Sequence, residues 1–231
     1  MTKKIVLITG GNSGEALALV KLFLQKNLYV CVLDKEISNL KNINSDNLIY
    51  FQVDISIEED LQIISDTFSK NNYEITAMFL NAIDPIFGPA EENSIELINK
   101  VFSGAVYGTI LCCSIFYKHL PENGKIVFLN SKTASSKGIA NQTLHCAAKW
   151  AIKGFSESIK KACSNRKINI YNIYSGSKNT NFWTDDINSM NVSIKVPDNL
   201  INVDALAQII YSNLFTNINE VVSDIYIERC K

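Results

Sequence analysis

Short runs of β-branched and other apolar residues alternate along this chain with longer stretches in which apolar residues recur every three or four positions. A short apolar run bounded by turn residues reads as a buried strand, and the three-to-four spacing gives a helix one face to lay on a sheet. The pattern predicts strands at Ile5 to Ile8, Tyr29 to Leu33, Ile49 to Val53, Ala77 to Leu80, Ile126 to Leu129, Ile168 to Ile173 and Ile225 to Ile227. Between them, Leu17, Val20 and Leu24 mark the buried face of one helix, and Leu61, Ile64 and Phe68 that of another. Longer helices are expected from about Ser94 to His119 and from Thr143 to Cys163. Strand–helix alternation implies βαβ units, so the expected fold is one α/β Rossmann-type domain: a doubly wound, seven-stranded parallel sheet flanked by helices.

The segment Ser177 to Leu200 breaks the alternation, with no clear period and with Asn179-Thr180-Asn181 and Pro197 inside it. A loop of that length is usually functional or disordered. It is expected to cover the mouth of a site, with Phe182, Trp183 and Met190 either lining that mouth or anchoring the loop to the body.

Composition narrows the class. A chain of 231 residues, 47% hydrophobic and 19% charged, has the make-up of a globular protein, and its length suits one α/β domain. Lys and Arg number 22 against 23 Asp and Glu, which gives no electrostatic reason to expect a nucleic-acid or anionic-membrane partner. Arg166 and Arg229 are the only arginines, so bidentate phosphate clamps are scarce. Six cysteines without a C-x-x-C pair read as reduced, which points to the cytoplasm. The apolar run after the two N-terminal lysines is too short for a signal peptide. Ala105 to Tyr117, broken by Gly108 and Thr109, falls short of a membrane span.

Two features carry candidate chemistry. Directly after the first strand comes Thr9-Gly10-Gly11-Asn12-Ser13-Gly14-Glu15-Ala16, then an amphipathic helix. A glycine-rich turn in that place lets backbone N–H groups approach a pyrophosphate at a helix N-terminus, although the same turn also serves as a ligand-free connection. Asp34 closes the second strand, where a carboxylate can accept from a ribose 2′-hydroxyl and repel a 2′-phosphate, favouring NAD over NADP. Lys35 beside it works the other way, and an Asp at a strand end is also an ordinary turn residue.

Taken in order and spacing, these residues resemble the short-chain dehydrogenase/reductase family across essentially the whole chain. Thr9, Gly10 and Gly14 match its T-G-x-x-x-G element, and Asp54 its adenine-contacting aspartate. Asn81-Ala82 match the core of N-N-A-G, Gly124 to Val127 the approach to the fifth strand, and Gly176 with Thr180 the P-G-x-x-x-T region. The resemblance implies an NAD-dependent oxidoreductase acting on a small alcohol or carbonyl compound. Thr9, Gly10, Gly14, Asp34, Asp54, Asn81, Lys149 and Thr180 would then face the cofactor.

The catalytic positions depart from the family pattern. Lys149 stands where the family has its lysine, but His145 occupies the tyrosine's place four residues earlier. The serine falls on Lys132 by the usual interval and on Ser131 with one residue inserted; Ser131 is taken. With Gly108 aligned to the family's glycine, Ala105 replaces the asparagine. Glu15, Ile83 and Ser175 also depart, Glu15 at the place a pyrophosphate would occupy. Two readings follow: an oxidoreductase with an atypical His-x-x-x-Lys site, or a catalytically inactive member that binds a nucleotide, or needs no cofactor, and serves as a structural partner. In either case the two long helices are expected to build a homodimer or homotetramer. A metal at His145 and Cys146 is not expected, since helix neighbours point in different directions and His119 belongs to another helix.

Overall fold

The computed structural model describes residues 2–84, 86–135, 138–180, 196–215 and 223–229. The seven strands are β1 Lys3–Thr9, β2 Tyr29–Asp34, β3 Leu48–Gln52, β4 Tyr73–Leu80, β5 Lys125–Ser131, β6 Asn169–Ser175 and β7 Asp224–Ile227. All pair in parallel in the order β3-β2-β1-β4-β5-β6-β7, the doubly wound sheet expected from the alternation. Most strands run longer than their apolar cores, because polar end residues such as Lys3, Lys125 and Ser131 still complete the hydrogen-bonded ladder.

Alternate strand residues supply the two faces. Val6 and Ile8 pack with α1 (Gly14–Gln25) and α6 (Val203–Phe215), while Ile5 and Leu7 pack with α2 (Glu58–Lys70) and the helices of the opposite face. On α1 the deepest residues are Leu19, Val20 and Phe23, each fully buried, whereas Leu17 and Leu24 lie at the edge of the stripe. The expected face of that helix was therefore rotated from the true one. The face of α2 is as expected, with Leu61, Ile64 and Phe68 all buried.

The long helix expected from Ser94 to His119 is a continuous run made of four pieces. These are α3 (Ile95–Phe102), a π-helical turn (Ser103–Gly108), α4 (Thr109–Phe116) and a closing 3-10 turn (Tyr117–His119). At 25 residues, the run Ile95–His119 is long and apolar enough to cross a membrane, which the stretch Ala105 to Tyr117 alone was not expected to be; half of its most apolar window is buried inside the protein. Cys112, Cys113 and Phe116 belong to the core beneath the sheet, and that packing accounts for their apolar character. Gly108 is required here: a Cβ would lie 2.4 Å from Ile55 Cγ1.

The second long helix, α5 (Thr143–Ala162), lies where the spacing placed it, and its Leu144 and Ala148 form a small cluster with Ile86, Val101, Ala105 and Val106. Cys31, Cys112, Cys113 and Cys163 are free and buried. Of the expected loop Ser177 to Leu200, residues 177–180 and 196–200 are described; Phe182, Trp183 and Met190 lie outside the described residues.

Candidate functional site

In a doubly wound sheet the crossovers leave in opposite directions at one point, and a crevice opens there beyond the carboxyl ends of the strands. Here that point is between β1 and β4. A cleft of about 1320 Å³ opens beside it, lined by residues that follow β1, β2, β4, β5 and β6 and by α5. That volume exceeds the 300–1,000 Å³ of a typical small-molecule pocket, so there is room for an extended ligand with a second molecule beside it.

The glycine-rich turn forms one wall. Gly10 and Gly14 both hold positive φ, +69° and +57°, which glycine adopts without steric cost. A Cβ on Gly10 would also come within 2.8 Å of Ala82 Cα, so the turn lies directly against the end of β4. The first N–H groups of α1 have no acceptor within the helix, and Ser13 provides no side-chain cap. The turn therefore presents unused donors at the positive end of a helix dipole, the arrangement that binds a phosphate.

Thr9 lies behind this wall. Its side chain is fully buried, and its hydroxyl accepts from the N–H groups of Asn81 (3.0 Å) and Ala82 (3.3 Å). Asn81 Nδ2 donates to the Gly10 carbonyl at 3.3 Å. Thr9 and Asn81 thus cross-brace the ends of β1 and β4, and Asn81 also lines the cleft while Thr9 does not. Asn12 is a brace that the sequence reading passed over. Its N–H donates to Asp34 Oδ2 (2.8 Å), and its Oδ1 accepts from Asn39 and Leu40 N–H. An Asn within a glycine-rich turn is the signal that would have found it.

Asp34 reaches the cleft at the end of β2, as expected. Burial raises its pKa, opposed by the N–H groups of Glu36 and Asn12. Lys35 also lines the cleft and pairs with Asp54 at 3.1 Å and Asp84 at 3.6 Å. Burial works against the Lys35 charge, but these two carboxylates outweigh it and raise its pKa. Asp54 is occupied on both oxygens: Oδ1 accepts from the Ser56 N–H and hydroxyl, and Oδ2 takes Lys35. Burial pushes its pKa up, but those partners prevail and lower it. Asp54 is not itself part of the cleft wall, although its neighbours Val53 and Ile55 are.

The opposite wall carries the candidate proton-handling groups. His145 and Lys149 sit one turn apart on α5, both buried and both lining the cleft. Lys149 Nζ donates to the Leu129 carbonyl at 2.9 Å. Burial, with the charge of Lys178 adding to it, lowers the Lys149 pKa to about 8, with Glu15 acting in the other direction. Burial, then the nearby Lys149 and Lys178, lowers the His145 pKa to about 3, so the ring is neutral at any physiological pH. Ser131 ends β5 on the same wall, and its hydroxyl accepts from the Thr133 N–H at 3.2 Å. The ammonium of Lys132 pairs with Glu228 at 2.6 Å. Ala105 lies in the π-helical turn and packs in the small apolar cluster, so that position offers the cleft no polar group. Ile83 is part of the cleft wall.

Glu15 is where the structure adds most. Its side chain is 9% exposed; Oε1 accepts from Lys178 Nζ at 2.6 Å, and Oε2 has no hydrogen-bond partner among the described residues. Lys178 comes from the segment after β6, held by backbone bonds between Ser177, Asn179 and Ile201. Thr180 follows and stands over Gly14, with its Cγ2 3.6 Å from where a glycine Cβ would be. Neither the burial of Glu15 nor its pairing to a residue 163 positions away is visible in a linear pattern. Among the described residues, no three His, Cys, Asp or Glu side chains converge as metal ligands, and His119 Nε2 pairs instead with Ser65 Oγ.

Known proteins are similar to this chain in sequence and in fold. The chain is 24% identical over 188 residues to a versicolorin reductase of Emericella nidulans, covering 78% of this chain and 71% of that protein. Its fold matches a 3-ketoacyl-(acyl-carrier-protein) reductase from Brucella melitensis complexed with NADH, with a TM-score of 0.80, 20% identity and 97% of each chain covered. It also matches a short chain dehydrogenase from Burkholderia cenocepacia in complex with NADP, with a TM-score of 0.82, 17% identity, and 98% of this chain and 96% of that one covered. The profile of one family, described as short chain dehydrogenase, matches residues 4–191, and the chain belongs to that family of oxidoreductases.

Proposed function

We propose that the protein is an NAD(H)-dependent oxidoreductase for a small alcohol or carbonyl compound, with His145 and Lys149 at the reacting end of the cleft. The observation that carries this reading is the single cleft that joins a phosphate-binding turn, Asp34, and the His145–Lys149 pair. The residues fit a nicotinamide dinucleotide. Unused N–H donors at α1 suit its pyrophosphate, and Gly10 and Gly14 supply the positive φ that shapes the turn. Asp34 suits an unphosphorylated ribose, and the charge of Lys35 beside it is already met by Asp54 and Asp84. NAD is therefore favoured over NADP. When bound, the nicotinamide supplies the hydride acceptor or donor, and the protein supplies orientation and the proton.

The two candidate proton groups divide their roles by their surroundings. A ring held neutral down to about pH 3 neither stores a proton nor releases one at neutral pH, so His145 serves as a hydrogen-bonding group that holds the substrate oxygen. Lys149, with a pKa of about 8, titrates near neutrality. Its Nζ gives a proton to the oxygen of a carbonyl being reduced, and as the free amine takes one from an alcohol being oxidised. Ser131 shares the wall and orients the same oxygen.

Titration with NADH and NADPH, read by energy transfer from protein fluorescence, tests the reading. Saturable binding with NADH tighter than NADPH is expected, and no binding at millimolar cofactor would refute it. Replacing His145 with Tyr then asks whether the site is used as it stands. Loss of a native activity would support the role given to His145, whereas a gain of carbonyl reductase activity from an inert protein would support the inactive-member alternative.

A further inference from the structure

Glu15 places a carboxylate where an anionic ligand is expected, and its surroundings say what that carboxylate is for. It occupies the second position of α1, next to the unused N–H donors of the turn. Its side chain is more than nine-tenths buried, yet Oε2 has no hydrogen-bond partner among the described residues. A buried acceptor, and a charged one above all, is costly to leave without a donor. A pyrophosphate brings only acceptors, so it satisfies the turn and not Glu15. The ligand that satisfies both carries anionic oxygens and, further along, an N–H or O–H donor.

The position of Glu15 along the cleft selects which donor. Asp34 marks the adenosine end, and the N-terminus of α1 marks the middle. Glu15 pairs with Lys178, and its charge is felt at Lys149; Lys178 in turn acts on His145. It therefore belongs to the reacting end.

Resting on the nicotinamide reading above, we propose that Glu15 Oε2 accepts from the carboxamide N–H₂ of the cofactor and that its negative charge favours the oxidised, cationic ring. Glu15 is then a specificity-determining residue for cofactor redox state. Lys178 holds the carboxylate in place through Oε1, so the negative charge of Glu15 has a fixed position in the cleft wall. The oxidised ring consequently depends on Glu15 more than the neutral reduced ring does.

Calorimetric titration tests this without an activity assay. Wild type and Glu15→Gln are titrated with NAD⁺ and NADH; because the carboxamide is common to both, the ratio reads the charge effect alone, and the variant should lose about tenfold in NAD⁺ affinity relative to NADH, the order of one partly screened charge–charge interaction. Independently of any variant, wild type should bind the 3-acetylpyridine analogue of NAD⁺, which lacks the amide N–H₂, more weakly than NAD⁺. The nicotinic acid analogue, which brings a second carboxylate, should bind more weakly still. An unchanged NAD⁺ to NADH ratio in Glu15→Gln, or equal affinity of wild type for NAD⁺ and the acetylpyridine analogue, overturns the assignment of Glu15 while leaving the nicotinamide reading intact. If Glu15→Gln does not fold, the analogues decide alone. Failure of wild type to bind either nucleotide overturns the nicotinamide reading, and this one with it.

Discussion

Replacing Lys149 with Met should stabilise the ligand-free protein, and the gain should depend on pH. Burial and the nearby Lys178 lower the Lys149 pKa from 10.5 to about 8. At about 1.4 kcal/mol for each pH unit between the two values, keeping Lys149 charged in the folded chain costs about 3 kcal/mol at pH 7. Methionine fills similar space without that cost, but leaves the Leu129 carbonyl short of its ammonium donor, a loss of about 1 kcal/mol. The net gain is about 2 kcal/mol at pH 7, or roughly 4–8 °C in Tm for a chain of this size. Between pH 8 and 10.5 the unfolded chain still carries the Lys149 proton that the folded chain has released. The unfolded state binds more protons there, so this site's contribution to wild-type stability rises with pH. The variant lacks that rise, so its advantage shrinks through the window and becomes a small deficit above it. Urea denaturation of both proteins at pH 7 and pH 10, at one ionic strength, measures the difference. A variant no more stable than wild type at pH 7, or a difference that does not change between the two pH values, would refute the reasoning.

Other consequences are open to simpler measurements. Thr9→Val removes the acceptor of the Asn81 and Ala82 N–H groups and should cost about 2 kcal/mol by urea midpoint, while cofactor contacts are lost only through a loosened turn. Gly10→Ala puts a Cβ 2.8 Å from Ala82 Cα at a φ of +69°; it should destabilise by about 1–3 kcal/mol and weaken NADH binding in the same titration. Asp34→Ser should narrow the preference for NADH over NADPH by about tenfold, seen as a change in the ratio of the two dissociation constants. In the pH profile of carbonyl reduction, activity should fall as pH rises through about 8, where Lys149 loses its proton, with no acid limb from His145 above about pH 4.

What could be read from the sequence follows from how local each cause is. The five inner strands and α2 were legible because burial on both faces forces apolar runs, and a sheet-packed helix must repeat every three or four residues; the less buried edge strands β3 and β7 still carry short apolar runs. On α1 the apolar residues almost encircle the helix, from Leu17 through Leu24, so spacing could not choose between Leu17 with Leu24 and Leu19 with Phe23. The π-helical turn was hidden for the opposite reason. Ser103-Gly104-Ala105-Val106-Tyr107-Gly108 reads as an ordinary helix interior, and nothing in its spacing marks the change of register. Glycines and Asp34 announced their part of the cleft because their chemistry is tied to a turn and a strand end. Lys178 gave no such sign, since its role depends on Glu15, 163 positions earlier.

The charges in the cleft connect these observations. Lys149 is held at a loss in the empty protein, and Glu15 carries one oxygen without a donor; both are local costs that the fold tolerates. Groups placed at such cost relax when a ligand brings what they lack: an anion or hydroxyl for Lys149, an N–H or O–H for Glu15. Replacing Lys149 with a neutral residue removes its share of that cost, as the Lys149→Met experiment measures. Ala105 is the contrast, a side chain packed in an apolar cluster with no polar atom to satisfy. Lys149 and Glu15 stand in one cleft as buried polar groups, and a ligand that brings those partners would offset both costs at once.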